Sequence, residues 1–276
     1  MRTDSQKSST EEKYNDHKEK DIQTQKCDDS SSKGFLAVVG LGPGGEHTLT
    51  LEAKKALQKA EIIIGYKTYI KLVKNFEFDT SDKKFLEFGM KKEIERAKKA
   101  LNTASEGKKV AVVSSGDPGV YGMAGPILEL SKHYNIDVEI IPGLTASNAS
   151  ASVLGAPLMH DYVTISLSDL LTPFDMIKNR VKKAAEGDFV ITLYNPKSNQ
   201  RQLQFQTIIE LLLELKSPDT PVGIVKNCKR PNEKAILTTL GQIPYDEVDM
   251  LSTVIIGNSQ SYIELDKFIT PRGYKL

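Results

Sequence analysis

The sequence predicts an α/β protein in two parts, a doubly wound parallel-sheet domain over 34–158 and a smaller α+β domain with a mixed sheet over 159–276. Three observations carry this. Apolar runs of strand length alternate with helix-period segments from Gly34 onward, the alternation restarts after a stretch of small residues, and the last three apolar runs have no full helix between them. A chain of 276 residues with 39% hydrophobic content can bury a substantial core, and two domains fit that length better than one.

Met1 to Lys33 is polar, mixed in charge and almost free of large apolar residues, so it is expected to be a solvated, disordered tail, with a docking arm as the alternative. "GFLAVVG" then reads as a buried strand, and "TLTLEAKKALQKA" sets Ala53, Ala56, Leu57 and Ala60 on one helical face. "EIIIGY", "KKFLEF", "KKVAVVSSGDPG" and "VEIIPG" supply four more strands, with the helical patterns "KKEIERAKKALNTA" and "GPILELSKHY" among them. "TASNASASVLGAPL" predicts a small-residue helix ending near Pro157. The second part opens with the strand "YVTISL" and a helix begun by Thr172 as cap with Pro173 in its first turn. "DFVITLYNP", the helical "QFQTIIELLLEL", and the strands "PVGIVKN", "AILTTLG" and "STVIIGN" complete it.

Charge excludes some classes of partner. The 37 Lys plus Arg nearly cancel the 36 Asp plus Glu, so no global field favours nucleic acid or an anionic membrane, and any anionic ligand must meet a local cluster. No run reaches the roughly 18 apolar residues of a membrane span, and the N-terminus lacks a signal-peptide core, which together predict a cytoplasmic protein. Cys27 and Cys228 lack the paired spacing of a zinc or iron–sulfur site, so neither a disulfide nor a protein-held metal is expected.

The turn "AVVGLGPGGEHTLT" places Gly40, Gly42 and Gly45 in a G-x-G-x-x-G pattern. A nicotinamide site needs in addition an acidic residue about 20 positions on, at the end of the second strand. Gly65, Tyr66 and Lys67 stand there instead, and Pro43 removes a backbone donor from the turn. Three further strand-end loops, "SSGDPGVYG", "IPGLTASN" and "LYNPKSNQR", are dense in Gly, Asp and Asn, and in parallel α/β sheets such loops converge on one cleft.

Together these four loops resemble those of the tetrapyrrole methyltransferases, from Gly34 to the C-terminus. "ISLSDLLTP", "LYNPKSNQR", "GIVKN" and "TPRGY" are similar to the branch acting on carbon 17 of a precorrin-3B or cobalt-factor III type macrocycle in cobalamin synthesis. The resemblance implies a two-lobed tetrapyrrole-methylase-like fold, usually a homodimer, with S-adenosylmethionine held in the cleft between the lobes. Carried over by motif, the donor would meet Gly42, Pro43, Gly44, Ser115, Gly116, Asp117, Val120, Thr145, Ala146, Asn195 and Cys228. Asp117 is the carboxylate suited to the donor's sulfonium, although Asp before Pro118 is also an ordinary turn opener. Cys228 reads as a small buried residue rather than a nucleophile, since no histidine partner lies near it in sequence.

In that branch methylation is coupled to ring contraction, which needs proton transfer; His160 and Asp161 are the acid–base candidates, a hinge hydrogen bond being the plainer role. The substrate would be a tetrapyrrole polycarboxylate, any cobalt belonging to it, so Lys197, Arg201, Lys226 and Arg230, with Lys229 and Lys234 nearby, are candidate carboxylate contacts or simply solvated charges. Rival readings are diphthine synthase or a ribosomal RNA methyltransferase of the same superfamily, a nicotinamide-dependent oxidoreductase, and a pure binding module.

Overall fold

Alternate residues of the central strands turn to opposite faces of the first sheet, and both faces are buried. The computed structural model describes residues 34–198 and 201–275; the tail expected over Met1–Lys33 lies outside the described residues. From Gly34 the chain runs β1 (Gly34–Gly40), α1 (Leu51–Lys59), β2 (Ile62–Tyr66), α2 (Lys67–Lys74), β3 (Lys84–Phe88), α3 (Glu93–Ser105), β4 (Lys109–Ser114), α4 (Ala124–Ser131) and β5 (Ile136–Ile141). The five strands are parallel, in the order β3-β2-β4-β1-β5. Leu36, Val38, Ile64, Val110 and Val112 face α3 and α4, whereas Ala37, Val39, Ile63, Ala111 and Val113 face α1 and α2. Both faces are covered, which is why these strands read as unbroken apolar runs.

The chain continues with α5 (Ala146–Leu154), β6 (Gly155–Ala156), β7 (Tyr162–Ser166), α6 (Phe174–Glu186), β8 (Val190–Tyr194), α7 (Leu203–Leu213), β9 (Pro221–Lys226), β10 (Lys234–Thr239), β11 (Ser252–Ile256), β12 (Tyr262–Glu264) and β13 (Lys267–Ile269). The second sheet has the order β10-β9-β11-β8-β7; β7 and β8 are parallel and the other pairs antiparallel, the mixed sheet expected from the sequence. Helices α6 and α7 cover one face through Ile177, Val181, Phe205, Ile208 and Leu212. On the other face lie α5 and Phe268 of β13, part of a small three-stranded sheet formed with β12 and β6.

Residues 34–275 pack as one unit in which the two sheets are the cores of two lobes. Two details depart from the sequence reading. Helix α5, assigned there to the first domain, packs on the second sheet, where Ala149 and Leu154 join Val190, Val225 and Ile255 in one cluster. Pro173, not Thr172, occupies the N-cap of α6: its carbonyl accepts from the Met176 and Ile177 N–H groups, and no side chain caps the helix.

Candidate functional site

Three loops cross at the strand ends of the first lobe, where the order β4-β1 reverses the direction of winding. Beyond β1 and β4 the chains keep pairing: the Leu41 N–H donates to Ser114 O (2.8 Å), and Gly42 and Gly116 exchange backbone bonds of 3.1 and 2.8 Å. The loop after β5 lies against both, so a Cβ on Gly40 would come within 2.6 Å of the Gly143 nitrogen. Glycine here serves loop-on-loop packing. Asp117 fastens the crossing, its Oδ1 accepting from the Gly119 N–H (2.8 Å) and its Oδ2 from the Gly143 N–H (3.1 Å).

The Gly143 loop leads into α5, whose cap Thr145 accepts from the Asn148 N–H. One residue into the helix, the Ser147 N–H donates to the Tyr194 hydroxyl at the end of β8 (2.7 Å). Burial raises the Tyr194 phenol above its ordinary pKa, so it stays protonated. Asn195 follows at φ 52°, its amide donating to Ser166 Oγ (2.9 Å). Tyr121, at φ 55°, reaches from the first lobe to β7: its hydroxyl donates to Thr164 O (3.1 Å) and accepts from the Ser166 N–H (3.2 Å). After β9, Asn227 is also left-handed, and Cys228 is a buried free thiol whose pKa burial raises. Left-handed non-glycine residues cost energy and tend to gather at functional sites; Tyr121, Asn195 and Asn227 all face one cavity.

That cavity has a volume of about 360 Å³. Pro43, Ser115, Gly116, Asp117, Val120, Thr145, Ala146, Asn195, Cys228 and Arg230 line it, drawn from five loops of both lobes. Gly42 and Gly44 do not, the first turned into the Gly116 bridge and the second packed under the Arg230 side chain. Gly116, at φ 65°, turns its bare Cα toward open space: a Cβ there would meet no heavy atom nearer than 4.0 Å.

Other expected site residues stand elsewhere. His160 and Asp161 lie before β7, at the opposite end of the second sheet from the cavity; His160 Nδ1 accepts from the Asp161 N–H (2.8 Å), a local hinge contact that gives the acid–base expectation no geometric support. Arg201 is buried, donating from Nη1 to Leu167 O (2.8 Å) and Asn195 O (3.2 Å), with Asp169 at 3.7 Å. Lys197 donates to Tyr245 O (2.7 Å), Lys226 pairs with Asp249 (2.6 Å) and Lys234 with Glu247 (2.8 Å). Each of these cations is engaged within the protein, away from the cavity wall. Sequence reasoning missed Tyr66, Tyr69, Met90, Tyr121, Tyr194 and the Met250–Thr253 wall. The aromatic residues closing β2 and β8 were the available signal.

A parallel lobe and a mixed-sheet lobe meeting at a loop-built cavity are the architecture of one methyltransferase group. Residues 36–244 match the model of the Tetrapyrrole (Corrin/Porphyrin) Methylases, and the chain belongs to that family. More particularly, it is 52% identical, over 88% of its length and all of the relative's, to a Salmonella typhimurium (strain LT2) protein named "Probable cobalt-factor III C(17)-methyltransferase". A Priestia megaterium protein named "Cobalt-factor III methyltransferase" is 45% identical over 88% of this chain, which spans 46% of that longer protein. The solved structure of the methyltransferase CobJ superposes with a TM-score of 0.82 at 35% identity, covering 87% of this chain and 100% of the other.

Proposed function

We propose that this methyltransferase adds a methyl group from S-adenosylmethionine to carbon 17 of a cobalt-factor III or precorrin-3B type tetrapyrrole, with ring contraction. The observation that carries the reading is the convergence of Pro43, Ser115–Asp117, Val120, Thr145–Ala146, Asn195 and Cys228 on one cavity. A donor with a nucleoside and an amino-acid end suits a mainly apolar cavity edged by backbone groups. It supplies a methyl on a cationic sulfur, which leaves as a neutral thioether.

The chain's part is then placement. Asp117 holds two donor-side loops together, Gly116 leaves room for close approach, and Tyr121 joins this wall to the second lobe. Aligning two reactants can supply roughly 7–11 kcal/mol, so a side-chain acid or base is not required for the transfer itself. Of the four cations expected to meet substrate carboxylates, Arg230 alone stands on the cavity wall, within reach of a carboxylate of either reactant.

Incubating the protein with S-adenosylmethionine and each tetrapyrrole, then reading product mass, tests the reaction. Transfer to cobalt-factor III or precorrin-3B is expected, and tight NAD binding with no response to S-adenosylhomocysteine would overturn the reading. On family grounds the assembly is proposed to be a cytoplasmic homodimer. A monomer mass by light scattering would refute the assembly.

A further inference from the structure

Two arginines near the cavity make no close ion pair. Arg230 is half-buried in the wall; its Nε donates to Pro43 O and its Nη2 to Ser115 Oγ (3.2 Å). Arg96 of α3 is 4% exposed; its Nη1 meets Met123 S (3.2 Å), its Nη2 donates to Gly89 O (3.3 Å), and its Nε has no partner. Among the described residues neither guanidinium has a carboxylate oxygen within 4.0 Å, although Glu93, three residues before Arg96 on the same helix, favours the Arg96 charge from farther off. Tyr69 stands beside both; burial raises its phenol while the charges of Arg230 and Arg96 and a hydrogen-bonding contact with Ser115 oppose that rise, so the hydroxyl stays protonated. Tyr69 lines the cavity, as does Met90, the residue after the carbonyl that Arg96 holds.

Withdrawing a cation from water is costly unless an opposite charge meets it, and two guanidiniums around one phenol, neither in a close ion pair, leave a site of positive potential that favours an anion. A guanidinium fork with an adjacent hydroxyl donor suits a planar, bidentate oxyanion. Of the ligands in the proposed reaction, on which this inference rests, both carry carboxylates and neither needs a phosphate.

We propose that Arg230 and the Tyr69 hydroxyl form a carboxylate-binding subsite where the loop after β9 meets the first lobe at the cavity, with Arg96 one layer behind as the positioning residue. The carboxylate comes either from the amino-acid end of the methyl donor or from a side chain of the macrocycle. Once it binds, the repulsion between the two cations is offset and the phenol is held between them.

The test uses Arg230→Gln, Tyr69→Phe and Arg96→Met, with S-adenosylhomocysteine and 5′-methylthioadenosine, which lacks the amino-acid end, as calorimetric probes. If the donor supplies the carboxylate, Arg230→Gln and Tyr69→Phe should lose about tenfold or more in S-adenosylhomocysteine affinity, with methylthioadenosine unchanged. If the macrocycle supplies it, both nucleosides should bind as in the parent, while KM for the tetrapyrrole rises about tenfold and kcat holds. The Arg96→Met loss of binding should shrink in the double variant with Tyr69→Phe while the melting temperatures of the variants add, whereas a merely structural role would couple the melting temperatures as well. Should Arg96→Met fail to fold, the other two variants decide. An equal loss of both nucleosides in Arg230→Gln would mean that Arg230 only braces the Pro43 and Ser115 loops, and unchanged binding of donor and tetrapyrrole in both variants would likewise overturn the subsite. Failure of the parent protein to transfer a methyl would instead sink the functional reading, leaving the nucleoside comparison intact.

Discussion

Asp117 and Arg201 are both charged and both close to Asn195 or Gly143, yet they should fail in different ways. Asp117 closes its own turn by accepting from the Gly119 N–H (2.8 Å) and ties the loop after β4 to the loop after β5 by accepting from the Gly143 N–H (3.1 Å), and such charge-assisted bonds are worth roughly 1.5–3 kcal/mol. Asp117→Ala is therefore expected to weaken S-adenosylhomocysteine binding about tenfold or more by calorimetry, and parent-like binding would refute that role. Arg201→Met should chiefly lower the melting temperature, since each buried carbonyl it leaves unpaired costs about 1–3 kcal/mol. A selective rise in KM for the tetrapyrrole without loss of stability would count against this placement. The sequence made Asp117, Arg201 and Lys226 visible as charges in loops. It could not show which charges are spent: Leu167 lies 34 positions from Arg201, and Lys226 meets Asp249 across a strand pair, distances set only by folding.

At the scale of elements, α5 joins the lobes: its first turn edges the cavity and its body lies on the second sheet. Ala149 is fully buried there, and Gly223 of β9 leaves no space for a side chain against Leu154. Ala149→Leu should cost roughly 1–3 kcal/mol through overpacking, seen as a lower melting temperature, and should also weaken S-adenosylhomocysteine binding because Thr145 and Ala146 ride on the same helix. An unchanged melt would show that the seam has slack. Long elements were legible: the apolar run "GFLAVVG" is the buried strand β1, and the helical pattern "KKEIERAKKALNTA" covers α3 but for its last residue. Helix α2 was not, because in eight residues it fully commits only Ile70 and Val73 to the core. Strands β12 and β13 are three residues each, too short for alternation to register, and β6 exists only through its pairing with β13.

For the whole molecule, acid sensitivity follows from carboxylates held in separate places. Burial pushes Glu46, Asp188 and Asp249 up, but hydrogen bonds and cations outweigh it: Lys54 and the Glu77 N–H at Glu46, Ser259 and Lys216 at Asp188, Lys226 and the Leu251 N–H at Asp249. All three are thereby held below their ordinary values. A carboxyl lowered in the folded state binds its proton less readily than in the unfolded chain, so its stabilisation is complete above the unfolded value and is lost as pH falls through the folded one. The melting temperature should hold from neutral pH to about pH 5 and decline below about pH 4. A melting temperature that rises on acidification would contradict these assignments.

The hydroxyl of Tyr121 has a second consequence, colloidal rather than catalytic. Strand β7 is the last strand of its sheet, and Thr164 O and Ser166 N–H belong to its outer rim, the kind of open backbone row on which another chain can template. One phenol satisfies both groups and lays its ring across the rim. Tyr121→Phe keeps the ring but releases that pair, so the variant should self-associate with rising concentration, read as growing light scattering while the parent stays clear. The same oxygen that joins the two halves of the enzyme thus occupies the β7 edge groups on which another strand could pair.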